Sequence, residues 1–187
     1  MSQLFLILAA LNFLALLAAF VIGAISAFGG QSMGPYYIWH FTFGLFSAVG
    51  TLLVHCIIFT YFLGTGRWVK EVAQAYDLPD EPLPKKTREL KRVSFPPALF
   101  AMLIVIAASA AGAGVQLQAW PWYVHGTLAV LTLVINLWAY WVEFRCLSEN
   151  SEVLAKVLTE VDRIRAASGL PSNEEALLQE QQTRVES

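Results

Sequence analysis

The sequence predicts an all-α integral membrane protein: a four-transmembrane-helix antiparallel bundle with a cytoplasmic helical extension. Three observations carry that expectation. Of 187 residues, 57% are hydrophobic and 14% charged, whereas a soluble domain has roughly 45–50% apolar and about 25% charged residues. No Lys, Arg, Asp or Glu occurs in residues 1–66 or 94–142. Four apolar runs, 3–28, 36–63, 97–118 and 122–144, occupy those stretches, the last reaching just past its stretch to include Glu143. Each reaches the roughly 20 residues needed to cross a hydrocarbon core of about 30 Å.

The first run lacks a basic leading segment, and its apolar core is longer than that of a secretory signal. It is therefore expected to be a permanent helix. The gap Gly29-Gly30-Gln31-Ser32-Met33-Gly34-Pro35 is uncharged and rich in turn formers. The second run ends at Gly64-Thr65-Gly66, which reads as a helix stop. Pro96-Pro97 are expected to open the third helix, where a missing N–H loses no bond. Only Ala119-Trp120-Pro121 separates the third run from the fourth, which implies a tight hairpin.

Seven cations lie in residues 67–92 (Arg67, Lys70, Lys85, Lys86, Arg88, Lys91, Arg92), and Arg145, Lys156, Arg163, Arg165 and Arg184 lie in the tail. The two opposite gaps hold none, so the positive-inside rule puts both termini and the central loop in the cytoplasm. Tyr36, Tyr37, Trp39, Trp120, Trp122 and Tyr123 would then form an outer aromatic belt. The chain thus divides into helices 1 and 2 (1–66), a loop with an interfacial helix (67–95), a helical hairpin (96–145) and a helical tail (146–187). In the loop, Trp68, Val72, Ala75 and Tyr76 mark the apolar face of that interfacial helix.

The fourth helix is expected to continue to about residue 167. Its stripe Leu154, Val157, Val161, Ile164 either pairs with a second copy or packs on the central loop. Ser172-Asn173-Glu174-Glu175 reads as a capping box opening a last helix. No repeat or low-complexity tract is expected. Cysteines 56 and 146 are too few for a disulfide framework. Basic residues interleaved with acids, without an aromatic-basic face, argue against nucleic acid as a partner.

Among the charge-free spans, His40, His55 and His125 are the candidate functional groups, because ionisable side chains inside a membrane are costly. His40 and His55 are fifteen residues apart on one helix, which places them on nearly the same side and about 22 Å apart along the axis. Between them on that face lie Gly44, Ser47 and Thr51, leaving room for a flat ligand or for close helix contact. On the fourth helix, Ala129, Thr132, Asn136 and Glu143 share the face of His125. His40 and His125, both early in helices that run outer to inner, are expected at similar depth. Two facing imidazoles in a bundle can hold a haem iron.

The His40/His55 spacing, with Gly44 on the same face, resembles membrane di-haem b-type cytochromes. That resemblance implies a haem b on His40 and His125, with a second at His55 as the alternative. Counting residues from the outer turn places Met102 of the third helix within about a turn of His55's depth as a candidate ligand, a five-coordinate haem or none there being the other readings. The resemblance also implies electron transfer between membrane quinol and a redox partner. Arg67, Lys70 and Arg145 would neutralise inner propionates, and Tyr61 and Glu143 would flank a quinone head group.

The chain departs from the family in offering Trp138, Ala139 and Tyr140, not a histidine, at the depth of His55. Other readings stay open. His40 and His125 could simply meet interfacial water, and His55 could bond Asn12, Asn136 or a backbone carbonyl. The chain could be a non-catalytic scaffold or accessory subunit acting through its tail stripe, with homo-oligomers as one form. It could also bind copper at the outer face through His40, His125 and Met33. No phosphate loop, CxxC pair, HExxH or nucleophile elbow is present.

Overall fold

The computed structural model describes residues 1–29 and 34–186, the last two by backbone alone. Five α-helices follow in order: α1 Ser2–Phe28, α2 Pro35–Ala75, α3 Leu83–Gln116, α4 Trp122–Ala167 and α5 Asn173–Glu186. The first four are long and apolar enough to cross a membrane. No strand occurs among the described residues.

Two boundaries differ from the sequence expectation. The α2 helix runs unbroken through Gly64-Thr65-Gly66 to Ala75, so the expected interfacial helix is the last part of α2. Two helical glycines cost about 1 kcal/mol each relative to alanine, but continuing the helix buries Val69 against Val153, Val157 and Val161. The α3 helix starts at Leu83, not at the prolines, and holds Pro96 and Pro97 inside it. Each proline leaves one carbonyl without its helical N–H, at Arg92 and Val93. Both of those residues are exposed, so water can replace the lost bonds.

The helix ends follow a common design. A left-handed residue closes each of the three longest helices: Asp77 (φ 52°), Gln118 (φ 56°) and Gly169 (φ 71°). The next amide bonds back across the last turn, Leu78 N–H to Ala73 O at 2.8 Å, Ala119 to Gly114 at 2.9 Å and Leu170 to Arg165 at 2.9 Å. This is the Schellman termination, and only at Gly169 does the favoured residue occupy the left-handed position. The α5 helix opens as its sequence predicts. Ser172 N–H donates to Glu175 Oε2 at 2.9 Å, and Glu175 N–H donates to Ser172 Oγ at 3.3 Å.

The chain forms two compact units, Met1–Tyr61 with Lys91–Ser148, and Phe62–Leu90 with Glu149–Ser187. In the first unit, α1 buries Phe5, Ala9, Asn12, Leu16 and Ala19 at alternating four- and three-residue spacing. The α3 helix buries Ala98, Ala101, Val105, Ala108 and Ala111. Small side chains at such positions bring helix backbones close together. The large apolar side chains, among them Leu4, Ile7, Leu11, Phe100 and Leu103, point outward instead.

In the second unit, the α4 stripe is covered by the protein's own α2 and the segment after it: Val72, Tyr76, Leu78, Leu83 and Leu154 surround the valine cluster. Arg88 grips both oxygens of Asp80 at 2.7 and 2.6 Å. Those hydrogen bonds hold the Asp80 carboxyl below its ordinary range. The stabilisation they give is therefore present at neutral pH and lost as pH falls through that lowered value.

Val157 is 1% exposed. Val157→Ala removes two buried methyl groups and should cost about 2 kcal/mol in a denaturant titration in detergent. The molar mass by light scattering should not change, because the stripe is already covered within one chain.

Candidate functional site

All three histidines lie in the first unit, and their hydrogen bonds separate them into two kinds. His40 on α2 has Nδ1 2.8 Å from the carbonyl oxygen of Ala19 on α1. His125 on α4 has Nδ1 2.9 Å from the carbonyl oxygen of Ala108 on α3. A carbonyl only accepts, so both Nδ1 atoms carry the proton, and in the neutral ring the lone pair is on Nε2.

Glycines shape both seats. A Cβ at Gly23, four residues after Ala19, would lie 2.6 Å from the His40 ring. One at Gly112, four residues after Ala108, would lie 3.1 Å from the His125 ring. The same device therefore occurs twice: a carbonyl, a glycine one turn on, and a histidine from the following helix. The segments Pro35-Tyr36-Tyr37-Ile38-Trp39-His40 and Pro121-Trp122-Tyr123-Val124-His125 match in the same way. This short repeat corrects the expectation that the chain contains none.

The two rings face each other edge to face, with centroids 5.8 Å apart and planes 75° apart. With metal–imidazole bonds of about 2.0–2.1 Å, two ligands of one ion hold their centroids roughly 6 Å apart. A ligating histidine ordinarily ties its other ring nitrogen to a carbonyl or carboxylate. Both features are present here. Gly44, one turn beyond His40, faces open space, since a Cβ there meets nothing within 4 Å. Ala129, one turn beyond His125, is half-buried.

His55 is of the other kind. It is fully buried, with Nδ1 2.7 Å from Glu143 Oε1 and Nε2 3.1 Å from Asn136 Oδ1. Its ring stacks on Tyr140 at 5.0 Å and 15°. Asn136 is fixed by Nδ2 donating to Thr132 O at 2.8 Å. Nearby, Asn12 of α1 donates to Thr51 Oγ1 at 2.7 Å and to Tyr140 Oη at 2.9 Å. Gly50 leaves room for the Asn12 carboxamide oxygen. Ser47, Thr51 and Thr132 hydroxyls donate to helical carbonyls, those of Gly44, Ser47 and Leu128.

Neither nitrogen of His55 is free, so the expected metal shared with Met102 finds no open ligand atom there. Met102 is half-buried on α3. Of the groups expected to neutralise inner propionates, Arg67 pairs with Glu71 at 2.8 Å, and Arg145 lies over the Trp141 ring at 5.0 Å. Met33, named for copper, lies outside the described residues. Among the described residues, no group of three or more His, Cys, Asp or Glu could hold a metal ion, so His40 and His125 stand as a pair.

Asn136 is among the partners that the sequence offers His55, whereas Glu143 is expected beside a quinone although the helical wheel puts both on one face. The carbonyl-and-glycine seats are not expected from the sequence, where their visible signal is Ala-xxx-Gly in both α1 and α3. No protein-family model matches the chain, nor does any curated protein or solved structure.

Two substitution series test these contacts by stability in detergent. Gly23→Ala should cost about 1–3 kcal/mol as the His40 ring is displaced, and Gly112→Ala less than about 1 kcal/mol. His55→Ala, which strands the Glu143 carboxyl in the interior, should cost about 3–5 kcal/mol. Equal costs for the two glycines, or a neutral His55→Ala, would contradict the geometry.

Proposed function

We propose that the protein is an integral membrane cytochrome with one haem b held between His40 and His125, moving electrons between membrane quinol and a redox partner. One observation carries the reading. Two facing histidines each have Nδ1–H tied to a backbone carbonyl and Nε2 left to bind. Such anchoring fixes the ring and raises the basicity of the free nitrogen. A haem would supply the one-electron chemistry that no side chain in the spans provides. With no flavin, nicotinamide or iron–sulfur motif, the electron must come from a lipid-soluble carrier or a protein.

The helices would cross the bilayer as an antiparallel bundle. The central loop and both termini would face the cytoplasm, the side that the loop cations favour. The outward-facing leucines and phenylalanines and the inward-facing small and polar residues fit a hydrocarbon solvent. Only the His40/His125 half of the di-haem pattern enters this reading. The tail stripe is used within the chain, which removes the surface on which the scaffold alternative relied.

The test is a reduced-minus-oxidised visible spectrum of detergent-purified protein, with a pyridine haemochrome assay and metal analysis. The expected result is one haem per chain, lost in both His40→Ala and His125→Ala and retained in Met102→Leu. Two haems per chain would overturn the single-site assignment. A folded, colourless protein would overturn the cytochrome, and one copper per chain in its place would assign the same histidine pair to Cu(I).

A further inference from the structure

We propose that the His55–Glu143 pair is a second site, independent of any haem: a buried proton-exchange site whose entry is Glu143 Oε2. Asn136 uses its amide N–H on Thr132 O, so its oxygen faces His55 Nε2, and that nitrogen must carry a hydrogen. The 2.7 Å approach of Nδ1 to Glu143 Oε1 requires a hydrogen between two atoms that would otherwise oppose lone pairs. The two side chains thus hold two hydrogens, one of them shared, and the pair is neutral overall. A neutral pair suits a position where both side chains are 0% exposed.

The surroundings supply no compensating charge. Asn12 comes from α1, Thr51 from α2, and Asn136 and Tyr140 from α4, and all four are neutral polar groups. The α3 residues 94–116 include no titratable side chain. The cations of this unit at that end of the helices are Lys91, Arg92 and Arg145, and Glu143 Oε2 has no hydrogen-bond partner at all.

The same bonds show where a proton can enter. At one side the Asn136 amide accepts from His55 but has no proton to pass on. At the other, Asn12 donates both its hydrogens, and Thr51 donates to the backbone of Ser47. Every route therefore ends in an amide or a carbonyl except the one through the carboxyl. Glu143 Oε2 is the single buried polar atom of the network without a hydrogen bond. In the exchange step the carboxyl carrying the shared hydrogen turns to bring that O–H to the outer position now held by Oε2, trades it there for a proton of water, and turns back to Nδ1, so the pair stays neutral throughout. Only O–H and N–H bonds form and break, so the pair is a site with one mouth and not a wire through the span.

The experiment follows hydrogen–deuterium exchange at the histidine ring by NMR of ¹⁵N-histidine-labelled full-length protein in detergent. The His55 Nδ1 hydrogen should exchange at least tenfold faster than the backbone amides of residues 51–59 around it. Glu143→Gln donates an amide N–H to Nδ1, which then carries no hydrogen, so the fast-exchanging Nδ1 signal should vanish while Nε2–H remains. Unchanged His40 and His125 signals would show that the variant is folded. Wild-type ring exchange no faster than the flanking amides would overturn the proposal, even if the variant fails to fold. So would a fast-exchanging Nδ1 hydrogen that persists in Glu143→Gln.

Discussion

The apolar, nearly charge-free spans of the four long helices have one overriding constraint: every polar side chain turned inward must find its hydrogen-bond partner within the chain. An unmatched buried donor or acceptor costs several kcal/mol. The first unit meets this constraint with side-chain amides, hydroxyls and carbonyls arranged along α1, α2 and α4. Asn12 serves Thr51 and Tyr140, Asn136 serves His55 and Thr132, and the hydroxyls of Ser47, Thr51 and Thr132 return to helical carbonyls. Against that background of satisfied groups, the unsatisfied atoms carry information. They are the Nε2 lone pairs of His40 and His125, and Glu143 Oε2.

The same constraint explains why three histidines of similar setting have different capacities. His40 and His125 spend one nitrogen each on a carbonyl of the preceding helix and keep the other. His55 spends both. Close packing makes the first arrangement possible, because Gly23 and Gly112 let imidazole rings lie directly against α1 and α3. Alanines at 98, 101, 108 and 111 keep α3 slim enough for its neighbours to approach. Rigid seats of this kind hold a ligand nitrogen in position before any ligand arrives, which lowers the ordering cost of binding.

Much of this was legible in the residues, and the misses have physical causes. Charge-free runs located the four long helices, and the Ser172–Glu175 box located α5. The helix ends near residues 66 and 96 were misread because glycine and proline propensities are local. The valine cluster around Val69 and the exposure of Arg92 and Val93 are tertiary facts that override them. Wheel arithmetic put Asn136 and Glu143 beside His125's face, but it could not show that His55 of another helix turns both its nitrogens to them. The seats for His40 and His125 were hidden because their acceptors are backbone carbonyls, which every residue has. Only the glycines beside them differ from one sequence to another.

The central claim is that hydrogen bonding leaves His40 and His125 each with one free nitrogen and His55 with none. The ¹⁵N spectrum of histidine-labelled protein, taken in a reduced, diamagnetic state, reads this directly through the protonation of each ring nitrogen. The account requires Nδ1–H with an unprotonated Nε2 at both His40 and His125. At His55 it requires Nε2–H together with a strongly hydrogen-bonded Nδ1. An Nε2–H tautomer at either His40 or His125, or a bare and unbonded Nδ1 at His55, would contradict it.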